Sequence, residues 1–172
     1  MIPKIRNILY ATDLSKNSAY AFRYAVNSAQ KHDAQICIFH VVETTSHAAE
    51  GYLQWVIAQE KLEKVREETK QSLVKRIEDR LMEFARRELK DDPETLKRVA
   101  PIKVVFGDPA VEILREAEDP KYDIVIVGTH GKGVVGHTFL GSVSEKVLQR
   151  ISKPVFVIPL PKGKTDITLG EI

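Results

Sequence analysis

Short, continuous apolar runs constrain the fold of this chain more than any other feature of its sequence. Residues 36–39 and 124–127 are apolar at every position. Strands of that kind are covered on both faces, as in a parallel sheet, whereas a strand with one wet face alternates polar and apolar residues. Together with similar but less regular segments, these runs predict five strands, at residues 5–11, 34–42, 102–106, 122–127 and 154–158.

Helical patterns separate the predicted strands. They cover residues 15–31, 59–90, 110–118 and 142–151, with Ser15 and Asp108 as N-caps and Pro109 at a first helical position. Residues 91–93 (Asp-Asp-Pro) are predicted to end the long helix. Strands alternating with helices indicate an α/β fold, in which a five-stranded, mostly parallel sheet has helices on both faces. The predicted apolar stripe of the long helix consists of Leu62, Val65, Thr69, Leu73, Ile77, Leu81 and Phe84.

Composition excludes several functional classes. A length of 172 residues suits one domain, and a formal net charge of +2 without a basic run does not suggest a nucleic-acid binder. No apolar stretch approaches the roughly 20 residues of a membrane span. The only cysteine, Cys37, lies in an apolar run, which predicts a buried thiol in a reducing compartment. We therefore expect a cytoplasmic protein.

Two of the predicted strands end in polar residues suited to binding. Thr12 and Asp13 follow the first strand, and a glycine-rich stretch, 128–141, follows the fourth. Ligands of open parallel sheets bind beyond the carboxyl ends of the strands. The helix that starts near Gly141 and Ser142 has first-turn amides without helical partners, and these amides favour an anion such as phosphate.

Simpler interpretations of these residues remain open. Ser142 and Glu145 fit a capping box, so Ser142 is equally suited to capping the N-terminus of its own helix. The G-x-G-x-x-G match at residues 131–136 lacks the acidic residue about 20 positions further on that a dinucleotide fingerprint needs. His130 and His137 have no partner spaced for a metal centre, and no relay activates a serine nucleophile.

The spacing Gly128-x2-Gly131-x9-Gly141-Ser142 resembles the nucleotide loop of the universal stress protein family. Residues 8–15, 39–42, 107–109 and 153–159 resemble other segments of that family in the same order, so the similarity covers residues 3–160. The resemblance implies a Rossmann-like fold of the adenine-nucleotide-binding type, with strand order 3-2-1-4-5. It also implies one universal-stress-protein domain, residues 1–160, followed by a C-terminal tail, 161–172.

The family's ligand contacts can be carried over residue by residue. The resemblance implies that Asp13 faces the ribose hydroxyls or a Mg²⁺ ion held with the phosphates. Ala11 and Thr12 would line the adenine side, and Val41 would meet adenine through its backbone. Ala11 stands where many ATP-binding members carry proline. The residues implied to wrap the ribose and phosphates are Gly128, Gly131, Gly141, Ser142, Val143 and Ser144, with Thr129 and His130 inside the same loop.

The glycine-rich loop together with the resemblance predicts a non-enzymatic switch that binds ATP or a related adenine nucleotide, and the resemblance alone implies a role in the stress response. The alternatives are a slow ATPase or nucleotidyl transferase, and a dimeric interaction protein without nucleotide. The resemblance also implies a homodimer that pairs through the strand at 155–158. In the variable segment 43–61, Tyr52 and Trp55 are expected to serve in ordinary packing.

Overall fold

The computed structural model describes residues 2–44, 60–129 and 140–159 of the chain. The segment that carries Tyr52 and Trp55, and the predicted tail, 161–172, lie outside these residues. Helices and strands alternate almost strictly along the described chain. In order they are β1 (Asn7–Thr12), α1 (Lys16–His32), β2 (Gln35–Glu43), α2 (Glu60–Glu88), α3 (Pro93–Leu96), β3 (Val99–Gly107), α4 (Pro109–Ala117), β4 (Ile124–Gly128), α5 (Ser142–Arg150) and β5 (Val155–Ile158).

All five strands are parallel and lie in the order β3-β2-β1-β4-β5. This arrangement confirms the predicted fold class and strand order. Because β1 has β2 on one side and β4 on the other, the chain leaves β1 and β4 in opposite directions, and their carboxyl ends flank the switch point. Tyr10 pairs with Ile126 in the ladder, so the turns that follow these two strands lie side by side.

Two apolar layers cover the sheet because the side chains of a strand alternate between its faces. The first face, with Ile8, Tyr10 and Ile36, packs against α1 and α2. The second face, with Leu9 and Cys37, packs against α4 and α5. The predicted burial of Cys37 is confirmed, since only 3% of the residue is exposed. Within the described residues, no helix has both the length and the hydropathy that a membrane span requires.

The sequence pattern of α2 was wrong at two positions of the predicted stripe. Leu73 is 37% exposed and Thr69 is exposed, whereas Val74, Ile77, Leu81 and Phe84 pack on the core. Steps of four residues overrun the helical period of 3.6. A stripe extended by such steps therefore drifts off the buried face, and Thr69 and Leu73 turn to solvent.

The prediction that residues 91–93 end the long helix is confirmed, since α2 ends at Glu88. The short helix α3, which the sequence did not predict, follows at once, and Asp92 caps it by accepting a hydrogen bond from the amide of Thr95. β3 then begins at Val99, three residues before the predicted start at 102. Asp108 and Pro109 cap α4 as predicted, with a bond of 3.0 Å from the Val111 amide to the Asp108 carboxylate.

Candidate functional site

A cavity of about 470 Å³ lies over the carboxyl ends of β1, β2 and β4, where the switch point places it. Strand ends, the turn after β1 and the first turns of α4 and α5 enclose it. The predicted residues that line the cavity are Ala11, Thr12, Asp13, Val41, Gly128, Gly141, Ser142, Val143 and Ser144.

A compact turn after β1 presents Asp13 to the cavity. The carboxylate oxygen Oδ1 accepts a hydrogen bond of 3.1 Å from the Ser15 amide. Ser15 itself caps α1, since its hydroxyl oxygen accepts from the Ser18 amide at 3.2 Å. Asp13 therefore stabilises the turn but not the first turn of the helix. No hydrogen bond to its second oxygen, Oδ2, is found within the described part of the chain.

The backbone of this turn is strained at Leu14, which has φ = 66°. A non-glycine residue in the left-handed region costs on the order of 1 kcal/mol. Two bonds offset the cost, because Thr12 Oγ1 accepts from the Leu14 amide at 3.1 Å and lies 2.9 Å from Ser18 Oγ. Strain maintained by surrounding contacts is common where a residue is presented to a ligand.

Backbone bonds close the opposite side of the cavity around Thr129. Its amide donates to the Ile158 carbonyl at 3.0 Å, and its carbonyl accepts from the Gly141 amide at 2.6 Å. These bonds tie the start of α5 to the ends of β4 and β5. Thr129 is 5% exposed and is not among the residues that line the cavity. The backbone of Thr129 therefore joins these elements, and its predicted contact with the nucleotide stays a prediction.

The first amides of α5 make the cavity wall suited to an anion. The first helical bond runs from the Glu145 amide to the Gly141 carbonyl, at 2.9 Å. Among the described residues, the preceding amides of Ser142, Val143 and Ser144 have no hydrogen-bond partner. Unpaired amides at a helix N-terminus carry partial positive charge and bind phosphate readily.

The structure decides against the capping role that was left open for Ser142, and it gives the Ser144 hydroxyl a partner within the chain. The capping box does not form, because the N-cap is Gly141 and Ser142 is the first helical residue. The Ser144 hydroxyl donates to the Gly128 carbonyl at 2.8 Å. Ser144 therefore presents its amide to the cavity and uses its side chain to join α5 to β4.

Apolar side chains form another part of the cavity lining. Ala11, Phe39, Val41, Val127 and Ile113 make up this apolar wall, and all five belong to the apolar layer on the second face of the sheet. A flat ring such as a purine gains free energy by covering apolar surface of this kind.

The described ionisable side chains that line the cavity are two acids, Asp13 and Glu43, and His40. No described lysine or arginine is among the lining residues, and the described groups there that attract a polyanion are the first amides of α5. Within the described ranges no group of three side chains could hold a metal ion by itself. A cation at Asp13 would therefore need oxygens from the ligand, as Mg²⁺ beside phosphates does.

The sequence prediction missed several lining residues. Phe39 and Glu43 share a face of β2 with Val41, so the period of two along a strand would have found them. His40 of the same strand also lines the cavity. Pro109 and Ile113 reach the cavity from α4 through tertiary packing alone. His130 and Gly131 lie outside the described residues.

Comparison with known proteins agrees with this fold. The model of the universal stress protein family matches residues 4–159. Universal stress protein MJ0577 of Methanocaldococcus jannaschii is 29% identical over 89% of this chain and 94% of its own length, and MJ0531 of the same organism is 31% identical over 91% and 84%.

Solved structures show the same architecture. The MJ0577 structure, at 27% identity, covers 94% of this chain and all of its own with a TM-score of 0.68. A universal stress protein family member from Arabidopsis thaliana, solved with AMP bound, has a TM-score of 0.56 at 16% identity, covering 91% of this chain and 93% of that one. On the match of the family model over almost the whole described chain, this protein belongs to the universal stress protein family.

Proposed function

We propose that this protein binds ATP, or a related adenine nucleotide, in the cavity over the switch point and acts as a non-enzymatic switch of the stress response. One observation carries the proposal: a single cavity joins an apolar wall to three helix amides without partners in the described chain. A nucleotide has the matching parts, a flat base at one end and a phosphate chain at the other.

The base would lie against Ala11 and Val41, beside the carboxyl ends of β1 and β2. Val41 is 9% exposed, so its backbone and the edge of its side chain are what a ligand would meet. The Arabidopsis relative, solved with AMP, shows that this fold can hold an adenine nucleotide. The position of the base in this chain rests on its own apolar wall.

The phosphates would lie over the first turn of α5, within reach of the Ser142, Val143 and Ser144 amides. The ribose would come between these amides and Asp13. The Asp13 Oδ2 would accept a hydrogen bond from a ligand hydroxyl or coordinate Mg²⁺. Because Asp13 and Glu43 are both negative, a divalent cation would reduce their repulsion of a triphosphate.

The cavity favours binding over turnover. Phosphoryl transfer needs a positioned nucleophile and stabilisation of the charge that develops. The described hydroxyls near the amides are those of Ser142 and Ser144, and the Ser144 hydroxyl donates to Gly128. A slow ATPase or nucleotidyl transferase is the second candidate, and an ATP turnover assay with Asp13→Ala as control separates the two. Hydrolysis abolished by that substitution would make the protein an enzyme.

We further propose a homodimer that pairs through β5, in the cytoplasm. β5 is at the edge of the sheet, and 39% of Phe156 is exposed there. The buried free thiol of Cys37 suits a reducing compartment. A dimer without nucleotide binding would instead support an interaction protein.

The decisive experiment measures ATP binding by calorimetry in Ser142→Glu and Ser142→Ala. A carboxylate in the first turn favours the helix through its dipole but repels phosphate. We expect Ser142→Glu to weaken ATP binding at least tenfold at unchanged or higher stability, and Ser142→Ala to bind within about threefold of the natural protein. Equal ATP affinity in Ser142→Glu would reject the site.

A further inference from the structure

His40 is a buried polar side chain near the carboxyl end of β2, among apolar neighbours in the sequence. Only 7% of it is exposed. Its ring nitrogen Nδ1 lies 2.8 Å from the carbonyl oxygen of Thr12, the last residue of β1, and the side chain also lines the cavity. His40 and Thr12 are direct partners in the ladder between β1 and β2.

The chemistry of this contact sets the proton on Nδ1. A carbonyl oxygen only accepts hydrogen bonds, so Nδ1 must donate. The neutral ring is therefore the Nδ1–H tautomer, and the charged ring keeps the same bond. The contact is thus a constant feature of His40 in either charge state.

Thr12 connects His40 to the turn that contains Asp13, because it is hydrogen-bonded to both. The Thr12 hydroxyl accepts from the Leu14 amide at 3.1 Å. Since Ser18 Oγ donates to the Ser15 carbonyl at 2.9 Å, the hydrogen between Thr12 and Ser18 belongs to Thr12. The backbone of Thr12 is held by His40 and its side chain by α1, so both sides of the residue before Asp13 are fixed.

We propose that His40 is a positioning residue: its Nδ1–H holds the Thr12 carbonyl and thereby sets how the strained turn presents Asp13 to the cavity. The proposal rests on the nucleotide site proposed above and adds a residue that acts through Asp13. Loss of the contact frees the end of β1 to rotate, and the Asp13 carboxylate then occupies its productive position for a smaller fraction of the time.

The test compares ATP affinity in His40→Leu and His40→Asn. Leucine fills space but cannot donate, whereas the amide nitrogen of asparagine is as many bonds from Cβ as Nδ1 is. We expect about a tenfold loss of ATP affinity in His40→Leu, the usual scale for one hydrogen bond, and recovery to within about threefold in His40→Asn. Equal losses in both variants would mean that the ring matters for packing alone.

A buried polar residue away from the cavity provides the control for general destabilisation. Thr95 is 3% exposed, does not line the cavity, and accepts a bond of 3.1 Å from Gln30 Nε2. Thr95→Ala should lower the melting temperature and leave ATP affinity unchanged. If Thr95→Ala weakens ATP binding as much as His40→Leu does, the effect of His40 is one of stability and the proposal fails.

Two further readouts separate the proposal from the function on which it rests. In an Asp13→Ala background, His40→Leu should cost less than about threefold in ATP affinity, because its effect passes through Asp13. If His40→Leu weakens ATP binding by the same factor with and without Asp13→Ala, the inference is overturned. Heteronuclear NMR of the histidine ring should show the proton on Nδ1 in the neutral form, and the opposite tautomer would also overturn it. If the natural protein does not bind ATP, the proposed function fails, and the NMR result still reports on the contact.

Discussion

Tyr10 shows how a single residue connects the core to the site. It is fully buried, and its hydroxyl donates to the Ser18 carbonyl in the first turns of α1, at 2.5 Å. Desolvation raises the pKa of Tyr10 well above its ordinary value of 10. Because the phenol is neutral in the folded chain and ionises more readily in the unfolded chain, its contribution to stability depends on pH.

The expected result is a loss of stability at alkaline pH. Above about pH 10 the unfolded state binds fewer protons at Tyr10 than the folded state does. The free energy of unfolding should therefore fall by up to about 1.4 kcal/mol per pH unit from this residue. Urea denaturation across this range measures the slope.

The matched variant for this prediction is Tyr10→Phe, which keeps the ring and removes the titrating hydroxyl. Above pH 10, the free energy of unfolding of this variant should fall less steeply with pH, because one titrating group has been removed. A slope remains, because burial also raises the pKa of the Cys37 thiol, which contributes in the same direction. Identical slopes in Tyr10→Phe and the natural protein would contradict the assignment.

At the scale of elements, a helix cap helps to position part of the cavity wall. Asp108 and Pro109 begin α4, and α4 brings Pro109 and Ile113 to the cavity wall. Asp108→Ala removes the carboxylate that accepts from the Val111 amide. We expect the free energy of unfolding to fall by about 1 kcal/mol, measured by chemical denaturation.

An Asn in place of Asp108 is the informative comparison. Its side-chain oxygen still accepts the Val111 amide bond, so Asp108→Asn should retain nearly all of the stability. Both variants leave the Asp13 turn and the α5 amides unchanged, so ATP affinity should change less than in Ser142→Glu. A variant Asp108→Asn as unstable as Asp108→Ala would assign the effect to charge and not to capping.

At the scale of the whole molecule, the β5 edge of the sheet is the surface proposed to form the dimer. β5 is a short edge strand, and its central Phe156 is 39% exposed on the same side of the sheet as α1. Exposed edges pair with other chains unless charge or a cover prevents it. We expect Phe156→Lys to convert the proposed dimer to a monomer in sedimentation.

Val111 offers a control of similar exposure. It is 45% exposed on α4, which packs against β2 and β3 on the other half of the sheet. Val111→Lys should leave the sedimentation coefficient unchanged. If Phe156→Lys sediments as the natural protein does, the dimer does not pair through β5.

Local chemistry let the sequence predict many of these elements. The apolar runs at 36–39 and 124–127 predicted strands buried on both faces, and Ser15 and Asp108 predicted helix starts that the structure confirms. Local signals decided less where one pattern can serve two purposes. Asp92 and Pro93 break one helix and begin another, and the capping pattern at Ser142 begins one residue too late to cap.

By itself, then, the sequence determined the parallel sheet with helices on both faces and the helix caps at Ser15 and Asp108, because these depend on neighbours along the chain. The order of the strands was expected only through family resemblance, since no local pattern records which strands are adjacent. The contact between His40 and Thr12, and the arrival of Ile113 at the cavity, joined residues far apart in the chain. Only the tertiary structure decided them, because register and packing bring such residues together after the elements have formed.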